Sequence, residues 1–374
     1  MSRTTVIHSA RLARTEEIQP GWLSYTDGII TGIGTGEPPP AHTTIDAQGG
    51  LLVPGFIDLH NHGGGGHSFT DADHQASKQA IQFHAAHGTT TMLASLVTAP
   101  HAHMVAACRT LAELAEARII AGIHLEGPFL SPARCGAQNP EFIVEPDLRV
   151  FDELIKAGRG HVKQITIAPE LPHALEVIRA AVAGGITVAI GHTDASYDRT
   201  VTAIAAGASL ATHLFNGLRP MHHRDPGPIT ALLESPEVTL EIIADGAHVH
   251  EALLRFVFTH CGPGRIALIT DAIAAAGSPD GQYQLSEQHV TVRGGIATLS
   301  QNGALAGSTT TQDAALRRCI AAGIPPLHAI TALTSTPARV LNLHDRGTLR
   351  LQARADLVLL DNNLTIRQVI AQQP

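Results

Sequence analysis

Short apolar runs recur along the chain, each followed by an alanine-rich segment with helical spacing. GFIDLH precedes residues 71–87, TTMLASLV precedes 101–117, and IIAGIHLEG precedes a long loop and 147–157. VKQITIAPE is followed by 173–183, TVAIGHT by 196–206, and LATHLFN by a short helix near 228–234. VTLEIIADGAHV with 251–260, and RIALITDA with a helix near 308–321, complete the series of eight. Each connection is long enough for a parallel crossover, and this alternation predicts an α/β fold, a (β/α)8 barrel of TIM type. No Gly-x-Gly-x-x-Gly follows the first strand, which argues against a dinucleotide-binding sheet.

The ends of the chain have another rhythm. TVIHSARLA, GWLSYTDG, IITGIG and TTIDAQGGLLV read as short β segments, with the PPP of residues 38–40 in a loop. After residue 340 the chain returns to β character in GTLRLQARADLVLLD and IRQVIA. Segments 1–53 and 340–374 are therefore expected to pair into a small β-sandwich domain, with the barrel spanning 54–339.

Composition narrows the class. A chain of 374 residues, 44% hydrophobic and 16% charged, can bury a large core. A net charge of −8 without a basic cluster argues against a nucleic-acid binder. No run approaches the ~18 apolar residues of a membrane span, and the charged start MSRTTVIHSARLARTEE is no secretory signal. Cys108, Cys135, Cys261 and Cys319 form no CxxC pair, which fits reduced thiols and a cytoplasmic location. Against 23 histidines stand only Lys78, Lys156 and Lys163.

The chemistry gathers where a barrel puts it, at the C-terminal ends of the strands. Strand 1 ends in DLHNHGGGG, and residues two apart on a strand share a face, so His60 and His62 converge. Strand 3 delivers Glu126, strand 5 His192, strand 6 His213, strand 7 Asp245, His248 and His250, and strand 8 Asp271. Buried ionisable groups must be paired or metal-bound, and so many on one rim point to a metal cup. Imidazole and carboxylate donors suit zinc or divalent iron. Glu126, His192 and His213 supply a three-ligand set, and His60 and His62, sharing Glu126, supply a second. Lys163 lies at the wrong end of its strand to bridge two ions. Asp271 remains for proton transfer, with a capping or ligand role as the alternative and His250 in reserve.

The motifs PGFIDLHNHG, HLEGPF, GHT, THLFN, DGAHV and TDA, in this order, resemble the amidohydrolase superfamily over nearly the whole chain. Within it they look like the sugar-phosphate deacetylases. The resemblance implies a metal-dependent hydrolase, with one or two divalent ions, that removes acetate from N-acetyl-D-glucosamine 6-phosphate, a small-molecule partner. It matches Glu126, His192 and His213 to metal ligands, Asp271 to the acid/base, and His60 and His62 to the binuclear members. It matches Asn216, Gly217 and Arg224 to phosphate contacts, and Ala137, His248, Leu305, Ala306 and Gly307 to further substrate contacts. Arg224 is expected to serve a neighbouring subunit's site in a homodimer. Where some relatives carry histidine this chain has Gln138, which can hydrogen-bond a sugar hydroxyl but carries no charge. Cys135 is read as a loop residue near the site mouth, and His222 and His223 as solvent-facing. The rival readings are an amidohydrolase of cyclic amides or imides and an inactive barrel scaffold; the latter would have lost ligands that this chain retains.

Overall fold

The computed structural model describes residues 3–371; residues 1–2 and 372–374 of the two expected terminal β segments lie outside the described residues. Eight parallel strands stand in chain order: Phe56–Asp58, Thr89–Leu96, Gly122–Glu126, Val162–Ile167, Thr187–Ile190, Leu210–Ala211, Thr239–Ile243 and Ile266–Ile269. Helices His74–Ala86, His101–Glu116, Leu148–Ala157, Ala174–Ala183, Tyr197–Ala205, Gly227–Glu234, Glu251–Cys261 and Gln312–Ala321 alternate with them. Alanine on the inner helix faces lets the helices lie close against strands whose side chains are almost all buried.

The barrel closes just past the ends of strands 1 and 8, and the closure holds the chemistry. Asn61 bridges Ala272 in parallel register. Asp271 N–H donates to the His60 carbonyl and His62 N–H to the Ala272 carbonyl, both at 2.8 Å. Beneath this seam Asp58 accepts from the Thr270 hydroxyl at 2.6 Å and from the Thr270 and His60 backbone N–H groups at 3.2 and 3.3 Å. The pair of histidines and Asp271 are thus positioned by one another's backbone.

The terminal segments form a seven-stranded sheet. Its path runs Ile366–Ile370, Leu357–Leu360, Leu51–Pro54, Thr4–Ala13, Ile18–Thr26 and Ile29–Gly34, with Thr43–Asp46 also paired to Thr4–Ala13. Alternate residues divide between two faces: Leu52, Leu357 and Leu359 pack with Ile7, Leu23 and Ile30, while Leu51, Val53, Val358 and Leu360 join the barrel's core. The expectation that GTLRLQARADLVLLD is largely strand holds only for Leu357–Leu360. Residues 347–356 are turns and irregular chain, whose Leu349, Ala353 and Ala355 cap the sheet's inner face.

Two features were not anticipated. Gly281–Leu285, Gln288–Arg293 and Ile296–Leu299 form an antiparallel meander inserted between the eighth strand and its helix. Its Leu285, Val290, Val292, Ala297 and Leu299 pack with Val97, Ile273 and Ala306 at the barrel mouth. Helices Pro326–Leu333 and Ser335–Val340 then lead back to the sheet. Among the described residues no helix is long and apolar enough to cross a membrane.

Candidate metal centre and active site

Six buried side chains meet at the C-terminal mouth of the barrel. Glu126 is the hub: its Oε1 lies 3.0 Å from both His192 Nε2 and His213 Nε2, and its Oε2 3.2 Å from His62 Nε2. His60 Nε2 stands 3.5 Å from Glu126 Oε1 and 3.4 Å from Asp271 Oδ1, which is itself 3.2 Å from His62 Nε2. The donors separate into two groups able to hold an ion, His60–His62–Asp271 and Glu126–His192–His213, with Glu126 between them. Asp271, weighed from sequence for proton transfer or as a ligand, stands at the cavity floor within reach of His60 and His62.

All four rings turn Nδ1 outward to a protein acceptor and Nε2 into the cup. His62 Nδ1 meets the Ser95 carbonyl at 3.1 Å, His192 Nδ1 the Arg134 carbonyl at 2.8 Å, and His213 Nδ1 the Asn216 carbonyl at 3.0 Å. His60 Nδ1 meets the Glu241 carboxylate at 3.3 Å. These partners only accept, so every Nδ1 carries the hydrogen and every neutral ring turns a lone pair on Nε2 inward. Four imidazole lone pairs and two carboxylates facing one another, with no lysine or arginine bonded to them among the described residues, are a donor set that fits divalent cations.

Electrostatics point the same way. Burial alone would push the His60 ring down, yet the Glu126 and Asp271 carboxylates outweigh it and hold His60 well above its ordinary value. His62 and His192 are raised against the same burial, by Asp271 with Glu126 and by Glu126 respectively. The carboxyls of Glu126 and Asp271, which burial would raise, are pulled below their ordinary values by His60 and its neighbours. Without a cation, protons supply the positive charge the cup demands.

The backbone is bent to present these groups. His192, His213 and Asp271 have φ of 45°, 27° and 49°, a left-handed region that costs non-glycine residues free energy and concentrates at functional sites. Gly217, at φ 61°, lies where a Cβ would stand 3.0 Å from His192 Nδ1, so only glycine lets this turn pass under the ring.

A cavity of about 290 Å³ opens above the cup, near the lower end of the range for small-molecule sites. Ala137, Gln138, Asn216, Gly217, His248, Leu305 and Gly307 line it together with His62, Glu126, His192, His213 and Asp271. Ala306 is fully buried in the apolar cluster behind that wall instead. Gln138 is committed at both ends: its Nε2 donates to Glu126 Oε2 at 2.5 Å and its Oε1 accepts from Thr98 N–H at 2.7 Å. It therefore steadies the hub carboxylate, while the second lone pair and second N–H of its amide are not used by these two bonds. Arg224 lies on an exposed loop outside the cavity of its own chain, its guanidinium 2.7 Å from His223 Nε2. Asp225, its neighbour in sequence, pairs with Arg219 instead. His250, held in reserve for proton transfer, is exposed and caps helix Glu251–Cys261 through Ala252 N–H.

The pairing of Asp245 with His248 and the apolar wall of the cavity escaped the sequence reading. Asp245 Oδ2 holds His248 Nδ1 at 2.7 Å, leaving Nε2 free; the i, i+3 spacing in DGAH was the available signal. Against its burial, His248 is raised by that carboxylate. Val97, Leu285 and Ala304 form the apolar wall of the cavity, two of them from or beside the unanticipated meander.

The amidohydrolase family model matches residues 51–373. Across 99% of its length the chain is 36% identical to an N-acetylgalactosamine-6-phosphate deacetylase of Escherichia coli O157:H7, covering 98% of that protein. It is 35% identical to the N-acetylglucosamine-6-phosphate deacetylase of Bacillus subtilis (strain 168), over 96% of this chain and 93% of the other. A solved structure of N-acetyl-D-glucosamine-6-phosphate deacetylase from Mycobacterium smegmatis, in complex with N-acetyl-D-glucosamine-6-phosphate, superposes with a TM-score of 0.94 at 40% identity, covering 99% of this chain and 98% of that one. The family implies a divalent metal, and the two donor groups at the barrel mouth match that need. The chain belongs to the amidohydrolase family.

Proposed function

We propose that this chain hydrolyses the N-acetyl amide of N-acetyl-D-glucosamine 6-phosphate to D-glucosamine 6-phosphate and acetate. One observation carries the reaction class: Asp271, a buried carboxylate, stands on the floor of an open cavity within 3.4 Å of two inward histidines and opposite the Glu126 hub. The substrate is taken from the names of the full-length relatives. A bound divalent cation, zinc ahead of iron for these imidazole and carboxylate donors, supplies Lewis acidity toward the amide carbonyl and a water molecule.

The chain's own groups do the rest. Asp271 accepts the proton of the attacking water and returns it to the amide nitrogen as the C–N bond breaks, so a neutral amine leaves. His248, its Nδ1–H held by Asp245, donates from Nε2 as the imidazolium that this carboxylate favours, to the carbonyl oxygen as that oxygen gains negative charge. Asn216 and Gly217 hold the sugar phosphate, and Val97, Leu285 and Leu305 keep water from the far wall.

Arg224 has no carboxylate partner among the described residues and lies outside its own cavity. That placement supports a homodimer in which Arg224 of the partner subunit grips the 6-phosphate in a bidentate, charge-assisted contact. The four free thiols support a reducing, cytoplasmic setting. N-acetylgalactosamine 6-phosphate is the second reading, favoured by the likeness to the Escherichia coli protein.

Acetate release by the metal-loaded protein, measured on both 6-phosphates and on unphosphorylated N-acetylglucosamine, tests the reading. Release from neither phosphate overturns it, and the ratio between the epimers decides the sugar. Arg224→Ala should lower kcat/KM on the phosphosugar by roughly 30–1000-fold, the equivalent of ~2–4 kcal/mol, and barely touch the unphosphorylated sugar.

A further inference from the structure

Glu241 takes no part in the chemistry above, yet it touches the cup. It projects from the seventh strand into the barrel with no exposed surface. Its Oε2 faces His60 Nδ1 at 3.3 Å, and its Oε1 accepts from Gln164 Nε2 at 2.8 Å. The other three inward histidines rest Nδ1 on neutral backbone carbonyls. His60 alone leans on a carboxylate. A negative charge behind the imidazole N–H raises the basicity of the opposite nitrogen and locks the ring's direction.

We infer that Glu241 is a positioning residue for the cation of the His60–His62–Asp271 group, acting through His60 and setting that ion's affinity apart from its neighbour's. The charge count supports this. Glu126, Asp271 and Glu241 are three buried carboxylates that no lysine or arginine pairs with among the described residues. One divalent cation leaves one of these charges unbalanced, and unbalanced buried charge is costly. A second cation beside His60 takes the sum from −1 to +1, and without the Glu241 charge it would stand at +2.

The inference rests on the metal reading of this site, and the experiment separates the two. The substitution E241Q removes the charge while keeping the hydrogen bonds. Its amide oxygen accepts from His60 Nδ1, and its amino group reaches Gln164 Oε1, a buried oxygen without a partner in this structure, once the Gln164 amide turns over. Metal-free full-length parent and E241Q are titrated with Zn²⁺ against a chromophoric chelator, with circular dichroism to compare their folds. The parent should show two classes of site; E241Q should weaken one class by about 10–100-fold and leave the other within a few-fold. The double substitution Q164E/E241Q returns the charge to the same buried pair but away from His60, and should stay weak. Recovery in the double variant, unchanged affinities in E241Q, equal weakening of both classes, or a parent that takes up one ion per chain each overturns the inference. A parent that binds no Zn²⁺ overturns the metal reading beneath it. Should E241Q not fold, E241D draws the charge back by one methylene; it should weaken the same class, and no loss there overturns the role.

Discussion

His60 Nε2 and His62 Nε2 face each other at 2.9 Å, closer than either comes to Glu126 or Asp271. Both Nδ1 atoms are already donating, so two neutral rings would set lone pair against lone pair. Only a proton or a cation between them removes that repulsion. The cup is therefore a place where protons and metal compete.

Proton competition has a definite sign. Metal-free His60, His62 and His192 hold protons above their ordinary range, so Zn²⁺ binding should release protons into weakly buffered solution and tighten as pH rises. The stability contributed by these raised histidines is fully present below their unfolded value of 6.5 and is lost as pH climbs through their folded values. Asp58, pushed by burial up to about 6, loses its contribution between 3.8 and that value. Glu126 and Asp271, lowered, contribute above the ordinary carboxylate range and lose it as pH falls. The metal-free protein should melt highest near pH ~5–6 and lower toward pH 8. A metal-free melting temperature that climbs steadily from pH 6 to 8 would refute this.

Glu126 touches both donor groups, so Glu126→Gln should empty both. Metal content after dialysis should fall below about a tenth of the parent's, and activity by two orders of magnitude or more. Full occupancy in this variant would remove Glu126 from the hub.

Asp271→Asn keeps the shape of the side chain and cannot accept a proton. Metal at Glu126, His192 and His213 should stay, substrate KM should move little, and kcat should drop by roughly 10²–10⁴. Steady-state kinetics with parallel metal analysis reads all three. A kcat within a few-fold of the parent would assign the proton to another group.

Gly217→Ala tests the turn under His192. The left-handed backbone and a Cβ 3.0 Å from His192 Nδ1 act together, and stability should fall by about 1–3 kcal/mol. Because the ring itself must shift, the loss in melting temperature should be larger with metal than without. Equal losses in both states would confine the effect to backbone strain.

Much of the site was legible in the chain because barrel geometry turns order into position. Eight apolar runs with crossover helices put every strand's C-terminal end on one rim, so His60, His62, Glu126, His192, His213 and Asp271 could be gathered before any coordinates. The side-chain period of two placed His60 and His62 on one face. Such local patterns state which face a residue takes, not which distant group it meets. Only the folded chain decided that Asp271 reaches His62, that Gln138 spends its amide on Glu126 and Thr98, and that Glu241 stands behind His60 across 181 residues of sequence. The meander of 281–299 escaped for a related reason: its strands are short and mostly polar outside, and their few apolar residues gain meaning only against Val97 and Ile273. Residues 347–356 carry strand-like leucines and alanines, but their backbone bonds to Gly28 and Ile30 close only a single bridge, Ile29 to Arg354, so packing with little pairing left them irregular. Arg224 shows the same division: its type marked it for an anion, while its place outside its own cavity was set by a loop whose direction no local pattern encodes.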